Sequence, residues 1–403
     1  MSGKPAPSPD TEAAWQEYLG VLQACRRRLL AHERCRDEGD LARALYDIQM
    51  LAATGFNIYV APRRSHPNFY IHPVFMPFEV TWGQPCPDFM YRWAIVDGRN
   101  TYRVWGRRGT TRWAEIQVLD GFWGDPELRH VANIDLDQHT GPDGAFEIIF
   151  SPDRQLGEHW VEIPRTGRNI FLQSREAWWD WENDLGLQMR IEPLKILSPD
   201  EWVLSEAQIN RRLREAGRWI SKNTDFNINM ISQIIESAGE RNAFAVRWDG
   251  KDNGGHPNAL KGRMVFDIAP DEAIIVEAEA PRAVYWSFSI ADIWYQTPDY
   301  SYHQSSLNGA QGRIDSDNRF RVVMALEDPG VHNWIDLVGL TQGMANYRFY
   351  MPIDGYVPDP VVKKVKAKDV LAHLPSDTPR VTPQARREIL ARRARSSLAR
   401  YGY

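Results

Sequence analysis

Two stretches of 18 residues decide the fold: Asp143-Gly-Ala-Phe-Glu-Ile-Ile-Phe-Ser-Pro-Asp-Arg-Gln-Leu-Gly-Glu-His-Trp160 and Asp317-Asn-Arg-Phe-Arg-Val-Val-Met-Ala-Leu-Glu-Asp-Pro-Gly-Val-His-Asn-Trp334. In both, a phenylalanine precedes the tryptophan by 14 positions, and Arg175 or Arg348 follows it by 15 or 14. A turn that opens a strand is ordinary hairpin chemistry, whereas repeated spacing to Trp and Arg indicates an internal repeat. The sequence therefore predicts two duplicated antiparallel β-sandwich, jelly-roll-like halves, packed around a pseudo-two-fold axis.

Helical patterns surround the two β regions. Apolar residues recur with helical spacing over residues 11–35 and 40–54, again between 198 and 239, and a basic helix is predicted over 384–401. The predicted fold class is mainly β with helical additions. The predicted organisation is an N-terminal helical segment (1–55), a first β-sandwich half (56–195), a helical insert (196–243), a second half (244–356), and a linker with a basic C-terminal helix (357–403).

Composition excludes several classes of protein. The 403 residues include 43% hydrophobic and 25% charged residues, which is typical of a globular chain of two or more domains. The net charge of −5 argues against a general nucleic-acid binder, and three cysteines without CxxC spacing indicate neither a disulfide framework nor a zinc cage. The N-terminus lacks an apolar signal region, and no apolar run reaches about 18 residues. We expect a cytoplasmic protein that binds no membrane.

Residues 244–352 resemble the bacterial family known as domain of unknown function twelve-fourteen. The resemblance implies antiparallel β-sandwich domains with helical decoration, and it supplies no reaction. The first β region resembles the segment that precedes this domain in longer members. The residues that carry the main resemblance are Asp299-Tyr300, Ser305-Ser-Leu-Asn308, Gln311, Asp315 to Arg319, Asp328-Pro-Gly330, Asn333-Trp-Ile-Asp336, Gly339, Gly343 and Arg348.

The two repeats differ where the family pattern has an acid and a pair of glycines. After the first tryptophan stands Glu162 where an aspartate is expected, and Gly167 alone represents the glycine pair. We therefore expect the second repeat to hold the functional site.

Polar side chains are dense in the second repeat, inside sequence that reads as strands. We predict that His303 or His332, with Asp336, performs acid/base catalysis, and that Arg348 binds a carboxylate, phosphate or sulfate. The further substrate-binding residues that we predict are Ser306, Asn308, Gln311, Trp334 and Tyr302. The alternative is structural: Asp336 and Arg348 form a buried ion pair, and Ser306 and Asn308 satisfy loop backbone.

Other chemistries have weaker signals. Ser305 or Ser306 lacks the Gly-x-Ser-x-Gly turn of a serine nucleophile, and the ten histidines form no metal-binding motif. No glycine-rich nucleotide fingerprint follows a strand, so we expect no cofactor and no metal. The cluster from Trp178 to Glu182 is either an aromatic wall for a ligand or an anchor for a strand end. For the basic C-terminal helix we favour a solvated arm that docks on a neighbouring subunit, which makes a homo-oligomer possible.

The predicted acid/base residues, together with the lack of a cofactor motif, favour a cofactor-independent lyase, isomerase or hydrolase. We expect its substrate to be an apolar small molecule with hydroxyl or carboxyl groups. The sixteen tryptophans and fifteen tyrosines suggest a terpenoid, steroid or aromatic substrate. Two alternatives stay open: a non-catalytic carbohydrate-binding protein and an oligomeric scaffold.

Overall fold

The computed structural model describes residues 6–64, 66–71, 81–125, 127–157, 159–195, 204–249 and 255–402. Four α-helices lie in this part of the chain: α1 (Pro9–Leu30), α2 (Glu38–Gly55), α3 (Glu206–Ala238) and α4 (Pro383–Arg400). Each begins at a residue whose side chain accepts a backbone N–H of the first turn: Ser8, Asp37, Ser205 and Thr382. Side-chain capping therefore fixes the start of every one of these helices.

Predicted and observed helices differ in two places. The predicted insert opens at Ser198, which lies outside the described residues, and the helix that is observed is a single 33-residue segment, α3. The first β region was predicted from Phe56, but Phe56–Val60 continues α2 as a π-helical turn. Apolar residues at Phe56, Ile58 and Val60 alternate as in a strand, and the pattern alone does not separate the two structures.

The strands of the described residues fall into two groups of nine. The first group is β1 (Tyr70–Ile71), β2 (Phe89–Asp97), β3 (Tyr102–Arg107), β4 (Trp113–Asp120), β5 (Arg129–Asp135), β6 (Ala145–Ser151), β7 (Trp160–Glu162), β8 (Asn169–Ala177) and β9 (Gln188–Pro193). The second group is β10 (Ala245–Asp249), β11 (Ala259–Asp267), β12 (Glu272–Glu279), β13 (Ala283–Ala291), β14 (Ser306–Asn308), β15 (Arg319–Ala325), β16 (Trp334–Asp336), β17 (Gln342–Pro352) and β18 (Val361–Lys366).

The strand order is the same in both groups. The first group forms the sheets β1-β2-β8-β4-β5 and β7-β6-β3-β9, and the second forms β10-β11-β17-β13-β14 and β16-β15-β12-β18. The strands β6 and β7 pair in parallel, as do β15 and β16, and the other described pairs are antiparallel. The register also repeats, because Ile149 pairs with Trp160 and Val323 with Trp334. Equivalent residues of the two quoted stretches thus occupy equivalent places.

One predicted boundary was wrong. The segment after residue 356 was predicted as a linker, but Val361–Lys366 forms β18 and pairs with β12 at the edge of a sheet. Its valines and lysines do not alternate strictly, which hides the strand, and lysines are common on exposed sheet edges.

We call each group of nine strands a half. Hydrophobic cores lie within each half and between the two halves. We call the two five-stranded sheets the inner sheets, because their aromatic side chains meet: the ring centroids of Phe89 and Tyr285 are 5.0 Å apart, and those of Trp113 and Tyr350 are 5.1 Å apart. Each four-stranded outer sheet shares a separate core with the inner sheet of its own half. The part of the chain that the structure describes is thus β-rich, with four sheets and added helices.

Candidate functional site

The site predicted in the second repeat begins at β14. Asn308 ends this strand, and its Oδ1 accepts the backbone N–H groups of Ala310 (3.0 Å) and Gln311 (3.1 Å), which shapes the following turn. Its Nδ2 donates to Asp88 Oδ1 (2.8 Å) and to the carbonyl oxygen of Trp179 (3.0 Å) in the first half. Asn308 therefore connects the two halves through its side chain.

Asp88 is the centre of this connection. Its side chain is fully buried and also accepts hydrogen bonds from Tyr285 Oη (2.6 Å) and Trp181 Nε1 (2.8 Å). Burial raises the pKa of Asp88, while the bond from Tyr285 and the charges of Arg400 and Arg393 oppose this rise. A buried carboxylate with three donors and two nearby cations has a structural role. We call the contacts around Asp88 the joint between the halves.

The C-terminal helix docks on its own chain. Three arginines of α4 recur every seven residues and are all buried: Arg386, Arg393 and Arg400. The prediction of a solvated arm that docks on a neighbouring subunit is therefore wrong for the helix face that carries them. A spacing of seven places side chains on one face of a helix. Each guanidinium lies over a tryptophan ring, and Arg400 also donates to the carbonyl oxygen of Pro87 in the first half (3.0 Å).

Arg393 is the residue through which α4 contacts the predicted site. It donates to Ser306 Oγ (2.5 Å), Gln311 Oε1 (3.3 Å) and the carbonyl oxygen of Tyr300 (2.5 Å), and it lies 4.5 Å from the centroid of Trp181. Burial lowers the pKa of Arg393 to about 10, so the group stays charged at neutral pH. Ser306, predicted to bind substrate, is thus occupied by α4.

A cleft of about 330 Å³ lies between the two halves and α4. This volume is at the lower end of the range for small-molecule sites. The lining residues are Trp179, Asp180, Trp181, Glu182 and Asn183 from the first half, Gln304, Leu307, Ala310, Gln311, Arg313 and His332 from the second, and Ile389, Arg392, Arg393 and Ser396 from α4.

His332 is the acid/base group of this cleft. Its Nε2 lies 2.9 Å from the carbonyl oxygen of Gln311. A carbonyl oxygen only accepts, so Nε2 carries the proton and Nδ1 keeps its lone pair. Burial lowers the pKa of His332. The imidazole is therefore neutral at pH 7, in one fixed tautomer, and can accept a proton.

The predicted pair of His303 and Asp336 is present but does not line this cleft. His303 Nδ1 lies 2.7 Å from Asp336 Oδ2, and the imidazole is 44% exposed. His303 is joined to the cleft through its backbone, because its carbonyl oxygen accepts Arg393 Nε (3.1 Å). The structure thus separates the two predicted histidines, and only His332 lines the cleft.

Trp334 and Tyr302 were predicted to bind substrate, and neither lines the cleft. Trp334 is buried beneath the guanidinium of Arg386 (5.2 Å), and its indole N–H donates to the carbonyl oxygen of Ala325 (3.0 Å). Tyr302 is exposed on the surface.

Arg348 lies elsewhere. It projects from β17 into the space between the inner sheets, where it donates to Ser289 Oγ (2.6 Å) and to the carbonyl oxygen of Gln84 (3.1 Å). Asp336 pairs with His303, so the alternative of a buried Asp336–Arg348 ion pair is wrong. Arg348 and the two histidines, predicted together as site residues, do not share one pocket, because Arg348 lies on β17 of an inner sheet whereas His303 and His332 lie in loops outside the strands.

Sequence reasoning missed Asp88, Gln304 and the role of Arg393. The amide Nε2 of Gln304 donates to the carbonyl oxygens of His332 (3.1 Å) and Trp334 (2.6 Å) and so holds the segment that carries the histidine. The seven-residue spacing of arginines in α4 was the available signal for Arg393. Asp88 has no comparable local signal.

Comparison with known proteins shows the fold. No family model matches the chain, and no curated protein matches its sequence. A crystal structure of an uncharacterised protein from Burkholderia cenocepacia superposes with a TM-score of 0.78 at 22% identity, covering 88% of this chain and 97% of that one. A protein from Vibrio parahaemolyticus gives a TM-score of 0.45 at 12% identity, over 89% and 100% of the two chains. The resemblance to domain of unknown function twelve-fourteen stays a prediction.

The described residues contain no helix that combines the length and the apolar character needed to cross a bilayer. The same residues contain no group of three or more His, Cys, Asp or Glu side chains placed to share a metal ion.

Proposed function

We propose that the protein is a cofactor-independent enzyme whose active site is the cleft between the two halves and α4, with His332 as the general base. The observation that carries this proposal is the bond from His332 Nε2 to the carbonyl oxygen of Gln311, because it leaves Nδ1 as a base of fixed orientation. A positioned histidine contributes roughly 10²–10⁴-fold to a proton-transfer step. Lyase, isomerase and hydrolase reactions all use such a step.

The lining of the cleft supports a substrate class. Trp179 supplies an apolar wall, and Arg313 and Arg392 supply positive charge for a carboxylate, a role that was predicted for Arg348. The volume of about 330 Å³ favours a single-ring aromatic or a small terpenoid over a steroid. The proposed substrate is therefore a compact apolar molecule with a carboxyl or hydroxyl group.

A carbohydrate-binding function is the second candidate, because Asp180, Glu182 and Asn183 stand beside Trp179 and could bind hydroxyl groups. The ring of Trp181 does not support it, since the guanidiniums of Arg393 (4.5 Å) and Arg400 (3.8 Å) lie against that ring. One tryptophan is a small stacking surface for a glycan.

The test begins with a thermal-shift screen of aromatic acids, terpenoids and oligosaccharides, because a ligand of the native state raises Tm. Compounds that stabilise the protein are then assayed for turnover with wild type, His332→Gln and His303→Gln. Glutamine preserves a donor near the position of Nε2 and removes the base. We expect His332→Gln to bind the substrate and lose at least about 100-fold in kcat, while His303→Gln retains activity.

The pH profile gives an independent measurement. Since burial lowers the pKa of His332, kcat/KM should be constant above pH 7 and fall only below the ordinary histidine value of 6.5. Stabilisation by sugars without turnover would support the binding protein instead. Turnover that survives His332→Gln would refute the assignment of the base.

We further propose that the two halves arose by duplication of a β-sandwich unit. The repeated strand order and register support this, as does the placement of Arg175 on β8 and Arg348 on β17, which occupy the same position in their sheets. An experimental structure of the protein tests this proposal: the nine strands of the first half should superpose on the nine strands of the second in the same order and register.

A further inference from the structure

A second cavity lies between the inner sheets and α3. Its volume is about 130 Å³, close to the roughly 150 Å³ of an engineered apolar cavity that holds benzene. Aromatic walls come from Trp82, Tyr91 and Tyr350, and α3 adds Phe226 and Met230. A ligand of about the size of one aromatic ring fits this space.

Arg348 lines the cavity as a buried cation without a carboxylate. The residue is 5% exposed, and its hydrogen bonds go to a serine hydroxyl, Ser289 Oγ, and to the carbonyl oxygen of Gln84. No ion pair joins it to an acid among the residues that the structure describes. A guanidinium stays charged at every physiological pH. Burying such a charge without a carboxylate partner is strongly unfavourable, the more so because Arg175, Arg247, Lys261 and Arg263 line the same cavity, and an anionic ligand would offset it.

The equivalent arginine of the first half provides the contrast. Arg175 occupies the same sheet position, lines the same cavity and is equally buried, but it forms an ion pair with Glu115 on the neighbouring strand. In the second half, Ser287 stands where Glu115 stands in the first. Arg175 therefore has a carboxylate beside it on the neighbouring strand, whereas Arg348 has a serine at the equivalent position.

Gln84 supplies a second group without a partner. Its side chain is 3% exposed and lines the cavity, and its amide Nε2 has no hydrogen-bond acceptor within the described chain. Its Oε1 accepts from Asn346 Nδ2, so the amide orientation is fixed. The backbone of Gln84 is left-handed (φ 50°), a conformation that costs a non-glycine residue energy and that clusters at functional sites. A buried donor without an acceptor is costly unless a ligand accepts its hydrogen bond.

We propose that this cavity binds a small monocarboxylate with an apolar body, held by Arg348 and Gln84 through its carboxylate and by the aromatic walls through its ring or chain. The cavity shares no lining residue with the cleft that contains His332. The two sites are therefore separate, and this inference does not depend on the proposed enzyme function.

The test uses the full chain and three probes in calorimetric titrations. Benzoate has the charge and the size, benzyl alcohol has the size without the charge, and sulfate has charge without an apolar body. We expect benzoate to bind at least tenfold more tightly than either of the others. No benzoate binding at millimolar concentration, or equal binding of benzyl alcohol, would overturn the proposal.

Arg348→Met and Arg175→Met form a matched pair of variants. Arg348→Met should lose at least tenfold in benzoate affinity while the ligand-free protein keeps or raises its Tm, because an uncompensated charge is removed. Arg175→Met should lower Tm, because it leaves Glu115 buried without its partner. If Arg348→Met does not fold, Gln84→Leu decides: a three- to tenfold loss of benzoate affinity supports the proposal, and unchanged affinity refutes it.

Discussion

Replacement of Asp292 by asparagine should stabilise the protein at neutral and alkaline pH and have little effect in acid. Asp292 follows β13 and is 3% exposed, and its Oδ1 accepts the backbone N–H groups of Trp294 (2.8 Å) and Gln296 (2.9 Å). Burial raises the pKa of Asp292 to about 7, and the backbone hydrogen bonds from Gln296 and Trp294, with the charge of Arg43, only partly oppose the rise. Asp47 on α2 is also buried, and its pKa is raised by burial and by the charge of Asp292.

The direction and the size of the expected stabilisation follow from the difference between the pKa of Asp292 in the folded state and its pKa in the unfolded state. Unfolded Asp292 titrates at 3.8 and folded Asp292 at about 7, so between these values the folded state binds the additional proton. The contribution of Asp292 to the free energy of unfolding is therefore highest below pH 4 and falls as the pH rises to 7. Three pKa units at ~1.4 kcal/mol each correspond to roughly 4 kcal/mol. Asparagine keeps the accepting oxygen without the charge, so Asp292→Asn should regain about 2–4 kcal/mol at pH 8.

Differential scanning calorimetry of wild type and variant between pH 4 and 8 measures this. We expect equal Tm values near pH 4 and a Tm for the variant several degrees higher at pH 8. Asp271→Asn is the control, because Asp271 is exposed beside Lys366 and its pKa is lowered. A difference in Tm between Asp292→Asn and wild type that does not change with pH would show that Asp292 is ionised in the folded state, and the reasoning would fail.

Three further predictions concern the joint between the halves. Arg393→Met should destabilise the protein by about 2–4 kcal/mol in thermal unfolding, because it leaves buried acceptors unpaired, whereas exposed Arg392→Met should change stability by less than about 1 kcal/mol. Gly309→Ala should displace the indole of Trp179, since an added Cβ would lie 2.0 Å from that ring, and the change in tryptophan fluorescence measures it. Asp88→Asn should lower Tm, because it removes the negative charge that faces buried Arg393 and Arg400; an unchanged Tm would show that this charge does not hold the halves together.

The repeated elements of the fold could be predicted because their signals are local. Helical spacing gave α1, α2 and α4 to within a few residues, and the repeated distance from Phe to Trp placed Trp160 and Trp334 on equivalent strands. The strand β18 was missed, because six residues of valine and lysine carry too little periodicity.

The candidate site could be predicted only in part. Gln311 and His332 both line the cleft, whereas Arg348 lines another cavity, because Arg348 lies on a strand of an inner sheet and the other two lie in turns outside the strands. Asp88 is 220 residues from Asn308, its hydrogen-bond partner, and no pattern in a single sequence connects the two. Contacts of this kind depend on how the halves pack, which local periodicity does not encode.

The docking of α4 also has a consequence for synthesis of the chain. Both halves precede this helix in the sequence, so at roughly 5–20 residues per second they leave the ribosome before it. Until Arg393 and Arg400 arrive, the carboxylate of Asp88 lacks the two cations whose charges act on it in the finished protein. Closure of the joint between the halves therefore follows the synthesis of both halves. A nascent chain that stops before residue 383 would expose to chaperones and proteases two nearly complete halves without the contacts that α4 makes to them.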